Sequence, residues 1–100
     1  MIDAKPNDIE TIRGILRRHV PGCEVRVFGS RVNGRAKPWS DLDIAIVGPG
    51  RIDDDTMRLL REAFEDSDIS FRVDVVDWHA VSESFRRVIA NGYEILVTSS

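Results

Sequence analysis

The feature that most restricts how this chain can fold is an alternation near its middle, where aspartates and aliphatic residues take opposite sides. Between Asp41 and Val47, residues Leu42, Ile44 and Ile46 fill every second position, with Asp41, Asp43 and Ala45 between them. A period of two belongs to an extended strand, so the aliphatic residues line one face and both aspartates project from the other. Phe71 to Asp77 repeats the arrangement, with Phe71, Val73 and Val75 on one side and Arg72, Asp74 and Val76 on the other. Each strand therefore has an apolar face to cover and a face bearing aspartate. A small mixed sheet covered by helices on one face meets both demands, which predicts an α+β fold.

The rest of the chain supplies those helices. From about Asp8 to Val20, Ile9, Ile12, Ile15, Leu16 and His19 share one helical stripe, while Arg13, Arg17 and Arg18 lie off it. Asn7 is placed to cap this helix, with Glu10 three residues on, and Pro21-Gly22 ends it. Glu24 to Phe28 alternates as a strand, Gly29-Ser30 breaks it, and Arg31 to Ser40 is a polar connection. A helix near Thr56 to Asp66 turns Met57, Leu60, Ala63 and Phe64 inward. Asp53, Asp54 and Asp55 at its start gain from the helix dipole and are read as structural. A last helix, about Ser82 to Ala90, carries Phe85, Val88 and Ile89 inward, and Asn91-Gly92 stops it before an apolar tail from Tyr93 to Val97. No repeat or linker divides the chain, so residues 1–100 are read as one domain.

Charge and composition exclude several classes. A formal charge of −3 argues against direct nucleic-acid binding, which wants a basic surface. No apolar run approaches the ~18 residues of a membrane span, and Met1-Ile2-Asp3 does not begin a signal peptide. The lone cysteine, Cys23, suits a reducing compartment and reads as a small buried hydrophobe. A cytoplasmic protein with a protein or small-molecule partner is expected.

Asp41 and Asp43 sit roughly 7 Å apart along one strand face, and Asp74 joins them if its strand lies alongside in suitable register. Three converging carboxylates resist ionising together, and divalent cations relieve that conflict. Hard oxygen donors favour magnesium or manganese, and a pair of such ions suits phosphoryl displacement. The pair alone fits a solvated sheet face equally well. Gly29-Ser30 lies where a strand ends, where glycine lets the backbone approach a phosphate and the hydroxyl donates to it. Arg31 adds a fixed positive charge and is the expected phosphate contact. By itself Gly-Ser is more often only a turn. The combination G-S-x10-D-x-D would arise by chance in roughly one hundred-residue chain in a thousand, which shifts the weight to function.

These residues carry a family resemblance. Phe28-Gly29-Ser30-Arg31-Val32-Asn33-Gly34-Arg35 resembles the "FGSRARG" block of the minimal nucleotidyltransferases (MNT) of the DNA polymerase β-like superfamily. Ser40-Asp41-Leu42-Asp43-Ile44 resembles their "SDxDL" block, and Val73-Asp74-Val75-Val76 their third-aspartate strand. The resemblance implies a polymerase β-like core in which Asp41, Asp43 and Asp74 are catalytic and bind Mg2+ or Mn2+. Gly29 and Ser30 would hold the triphosphate, with Arg31 and Ser40 also counted as nucleotide-binding. It implies AMP transfer from ATP to a hydroxyl, and a role as antitoxin that modifies a tyrosine of a HEPN-domain ribonuclease toxin. Lys37-Pro38-Trp39 departs from the acidic or polar residues usual before the "SD".

Two other functions stay open on the sequence: an antitoxin that blocks its partner by contact, and transfer to a small molecule or RNA held by a second subunit. Of the remaining residues, His19 reads as packed and His79 only marginally as a site residue. Asp77 suits a helix cap or the surface, and Arg86 and Arg87 a solvated face. Trp39, in a polar loop, packs at the rim, stacks on a base or anchors a partner.

Overall fold

The computed structural model describes residues 1–98. Helix α1 (Pro6–His19) leads into strand β1 (Glu24–Phe28), a single helical turn α2 (Ser30–Asn33) and strand β2 (Leu42–Val47). Helix α3 (Asp54–Glu65), strand β3 (Val73–Asp77), helix α4 (Glu83–Ala90) and strand β4 (Tyr93–Val97) complete it. The strands form one sheet in the order β3-β2-β1-β4. β1 runs antiparallel to β2 and β4, while β2 and β3, joined across α3, are parallel. The mixed α+β sheet is as the alternation predicts, and the tail beyond Asn91-Gly92 is the edge strand β4.

The main core fills the space between the sheet and the pair α1 and α3. Ile12, Ile15 and Leu16 of α1 and Met57, Leu60 and Phe64 of α3 meet Val25, Val27, Leu42, Ile44, Ile46 and Val75 of the sheet. Spacings of three and four on the helices and two on the strands bring these apolar faces together. Each fully buried aliphatic side chain contributes about 1.5–3 kcal/mol relative to exposure.

One expectation needs correction: the helices do not all lie on one face. By strand alternation Phe28 and Ala45 belong to the aspartate face, and Ile89 of α4 buries with them, flanked by Phe85, Trp78, Val76 and Tyr93. Phe28 and Phe85 meet edge to face with centroids 5.8 Å apart. α4 thus covers part of the second face and leaves Asp74 exposed and Asp43 half-buried. Val88, expected inward, is 61% exposed, because the narrow contact of α4 uses only Phe85 and Ile89.

Local ends differ in instructive ways. α1 begins with Pro6 at its first position, and Lys5 precedes it without a side-chain cap, so Asn7 is not the cap. Asp8, within the first turn, is buried and accepts a hydrogen bond from Ser70 Oγ at 2.9 Å. α3 is capped as its acidic start suggests. Asp53 accepts from Thr56 N at 3.0 Å and from the Thr56 hydroxyl, and these bonds hold its carboxyl below the usual value. Among the described residues no helix is long and apolar enough to cross a membrane.

Candidate active site

The site begins at the end of β1. Gly29 has φ 83° and ψ −155°, a region open essentially to glycine alone. A Cβ at Gly29 would lie 2.5 Å from Asp43 Oδ2, so the backbone there closes on the carboxylate itself. Two independent facts, torsion and clearance, therefore demand glycine. The chain then makes one turn of helix, with Val32 N and Asn33 N donating to Gly29 O at 3.0 and 3.1 Å. The opening amides of α2, at Ser30 and Arg31, have no intrahelical acceptor. Gly34, at φ 82° in the left-handed region, ends the turn.

The three aspartates come together on the open part of the sheet. Asp43 and Asp74 are direct register partners on parallel neighbours, and Phe28 is the partner of Asp43 on its other side. Asp41 stands just before β2 and shares the side of Asp43 by alternation. Burial pushes the Asp43 carboxyl above its ordinary range, and the charges of Asp74 and Asp41 push it further; Arg72 pulls it partly back. Among the described residues no three His, Cys, Asp or Glu side chains are gathered closely enough to enclose a metal ion. The arrangement is an open carboxylate face rather than a closed cage. Its donor set still fits a hard divalent cation: every donor is a carboxylate oxygen, and the repulsion raising Asp43 is what a dication relieves. Such ions commonly take one or two carboxylates and complete their shell with phosphate oxygens and water.

Arg31 does not stand over this face. It is buried, and its guanidinium donates to Ser40 O at 2.8 and 3.0 Å, to Asp3 O at 2.7 Å and to Pro38 O at 3.1 Å. It also lies 4.0 Å from the centroid of the Phe71 ring. Its fixed donors are directed at carbonyls of the loop and of Asp3, and not toward the aspartate face. Ser40 likewise spends its hydroxyl within the loop, accepting from Lys37 N at 2.9 Å.

Other candidates fall outside the site. Asp77 is neither at the surface nor on a helix end. It is buried at the far end of β3, where it accepts from Ile52 N at 2.8 Å and His79 N at 3.0 Å. His79 Nε2 lies 2.8 Å from Gly48 O, at that same far end. Cys23 is buried, and burial with the nearby Asp77 charge raises its thiol. Arg86 Nε donates to Trp78 O at 2.8 Å, so this arginine is not a free solvated group. The residue that pattern reading passed over is Arg72. Its signal was present, since it shares the alternation of Asp74, and its charge reaches Asp43.

This fold and this carboxylate face define a class. The family model for polymerase beta, nucleotidyltransferase, matches residues 10–100, and the chain belongs to that family. More particularly, it is 41% identical over 95 residues to the Haemophilus influenzae protein named "Probable protein adenylyltransferase MntA", covering 95% of this chain and 83% of that one. Among solved structures, a toxin–antitoxin crystal structure with AMP-PNP superposes with a TM-score of 0.72 at 25% identity, over 92% of this chain and 74% of the other. A chain from the complex of the tri-AMPylated Shewanella oneidensis HEPN toxin with MNT antitoxin gives 0.68 at 22% identity, over 92% and 71%. That second likeness is one of fold.

Proposed function

We propose that this chain is a metal-dependent adenylyltransferase that moves AMP from ATP to a tyrosine hydroxyl of a HEPN-domain ribonuclease toxin, and so acts as its antitoxin. The observation that carries the reading is the meeting of Asp43, Asp74 and Gly29 at one point, two carboxylates in register with a glycine backbone closed against one of them. The names of the relatives in the same family point to the same chemistry.

In this reading Asp41, Asp43 and Asp74 hold Mg2+ or Mn2+, which when bound neutralises charge on the triphosphate and lowers the barrier to displacement. Gly29 and Ser30 hold the triphosphate through backbone amides and a hydroxyl. Arg31 positions that loop from beneath instead of touching the nucleotide. Asp74, on the exposed edge strand, faces the acceptor and takes up the proton of its hydroxyl. The acceptor oxygen forms a bond to the α-phosphorus, the bond from that phosphorus to the bridging oxygen breaks, and pyrophosphate leaves with the electron pair. The chain works in the cytoplasm, where ATP is abundant and Cys23 stays reduced.

The test is intact-mass measurement of the HEPN-domain partner after incubation with ATP and magnesium. The partner should gain the mass of AMP with the wild type and not with Asp43→Asn, and its ribonuclease activity should fall in step. Inhibition with no mass gain would replace catalysis by blocking through contact.

A further inference from the structure

The loop between α2 and β2 is braced in an unusual direction. Lys37 to Ser40 forms a tight turn closed from both sides, with Ser40 N donating to Lys37 O at 3.0 Å and Lys37 N to Ser40 Oγ at 2.9 Å. Arg31 clamps the same turn from inside through the carbonyls of Pro38 and Ser40. Pro38 and Trp39 occupy the two central positions, and the proline fixes the backbone torsion there. Among the described residues the Trp39 side chain makes no hydrogen bond, aromatic pair or cation–π contact. Trp39 is 75% exposed. It lies two residues before Asp41, within about 7 Å along the chain.

Two cations precede it on the loop. Arg35 and Lys37 are exposed at alternate positions before Trp39, and among the described residues neither side chain has an ion-pair partner. On a chain of formal charge −3 they form a local basic patch around one aromatic side chain. A large aromatic on a preorganised backbone loses little conformational freedom on docking, which is how interface anchors contribute most of their binding energy. Three-quarters of the Trp39 surface is open, and docking gains most where such an aromatic is fully enclosed. A protein pocket does that, and an acidic rim would complement Arg35 and Lys37.

We infer that Trp39 is the anchor by which this chain docks the protein that carries its acceptor hydroxyl, with Arg35 and Lys37 pairing to carboxylates around an apolar pocket of that partner. The inference rests on the functional reading above in taking the HEPN-domain protein as that partner. Docking beside Asp41 would bring the acceptor to the aspartate face and make the prong a determinant of which protein is modified.

The experiment uses Trp39→Ala, Trp39→Phe and the charge reversal Arg35→Glu/Lys37→Glu in the full chain, with the purified HEPN-domain protein and Mg·ATP as separate probes. Trp39→Ala should weaken binding of the HEPN protein about thirtyfold and raise its KM, with Mg·ATP affinity unchanged and Trp39→Phe intermediate. The charge reversal should slow association and weaken its dependence on salt. In a Trp78→Phe background, Trp39 emission should shift to the blue on adding the HEPN protein and stay constant on adding Mg·ATP. Loss of Mg·ATP affinity in Trp39→Ala would make the indole a base-stacking residue and overturn the inference. Unchanged binding and modification of the HEPN protein by Trp39→Ala would also overturn it. A wild type that neither binds nor modifies the HEPN protein would remove the functional reading itself.

Discussion

Replacing Asp43 by asparagine should make the metal-free protein more stable, and the same change should abolish its stabilisation by Mg·ATP. Asp43 and Asp74 are register partners on adjacent strands, so their charges stand about 5 Å apart. Coulomb repulsion at that distance is about 0.8 kcal/mol if fully screened by water and about 3 kcal/mol at an effective dielectric of 20. Asp74 is exposed, which favours the lower end, so a gain of about 1 kcal/mol is expected at neutral pH. That corresponds to a rise of about 4–8 °C in melting temperature for a domain this size. The dependence on pH has a definite sign. Burial and its neighbours raise the Asp43 carboxyl in the folded state, so folding favours its protonated form. Stability from that form is complete below the ordinary carboxylate value and is lost as pH rises through the raised one. The Asp43→Asn protein, whose amide cannot ionise, should therefore lead the wild type at neutral pH and draw level with it in acid. Saturating Mg·ATP, at about a hundred times its dissociation constant, should raise the wild type by about 2.7 kcal/mol and the variant by far less, reversing the order. Scanning calorimetry with and without Mg·ATP, at neutral and acid pH, reads all four values. A metal-free Asp43→Asn protein that melts at or below the wild type would refute the claim that these carboxylates oppose one another.

Other variants test other parts of the construction. Gly29→Ala forces both a disfavoured torsion and a Cβ 2.5 Å from Asp43 Oδ2, and should cost about 2–3 kcal/mol in urea unfolding. Arg31→Ala leaves the carbonyls of Asp3 and Ser40 without their donor and should cost about 3 kcal/mol; Arg31→Lys should recover only part, since an ammonium cannot span the same acceptors. Arg72→Ala removes a cation that competes with metal at Asp43, so Mn2+ alone should bind about two- to fivefold more tightly, as followed by electron paramagnetic resonance. Equal Mn2+ affinity would show that Arg72 does not act on the site. Ile44→Ala, in the centre of the main core, should cost about 2–5 kcal/mol and report on fold alone.

The carboxylates were legible in the sequence because strand geometry has a period of two. Leu42, Ile44 and Ile46 fix the inward face, and Asp41 and Asp43 can then only point outward. Their meeting with Asp74 was conditional on register, which is a long-range property that no local pattern states. Arg31 was legible as a charge and not as a direction. Whether a guanidinium turns to solvent or to buried carbonyls depends on which carbonyls the loop leaves open, and Asp3 is remote in sequence. The single turn Ser30–Asn33 is too short to carry a helical period. It exists because Gly29 redirects the chain and Arg31 secures the loop beyond the turn. Val88 misled because a stripe of apolar residues on a short helix is wider than the surface α4 contacts. Asp77 looked like a surface residue because its partners are backbone amides, Ile52 N in the irregular segment before α3 and His79 N in the turn after β3.

The pairing of Asp43 with Asp74 also has a consequence in time. The two residues come from strands on either side of α3, and they become neighbours only when the parallel crossover has closed. Contacts of long sequence separation form late in folding relative to local turns. A chain emerging from the ribosome can complete β1, the Gly29 turn and β2 well before β3 has been made. The early segment then carries two aspartates and no third. Competence for chemistry therefore arrives as a late, cooperative event that coincides with closure of the sheet, and a truncated or half-folded chain presents the loop without the means to react.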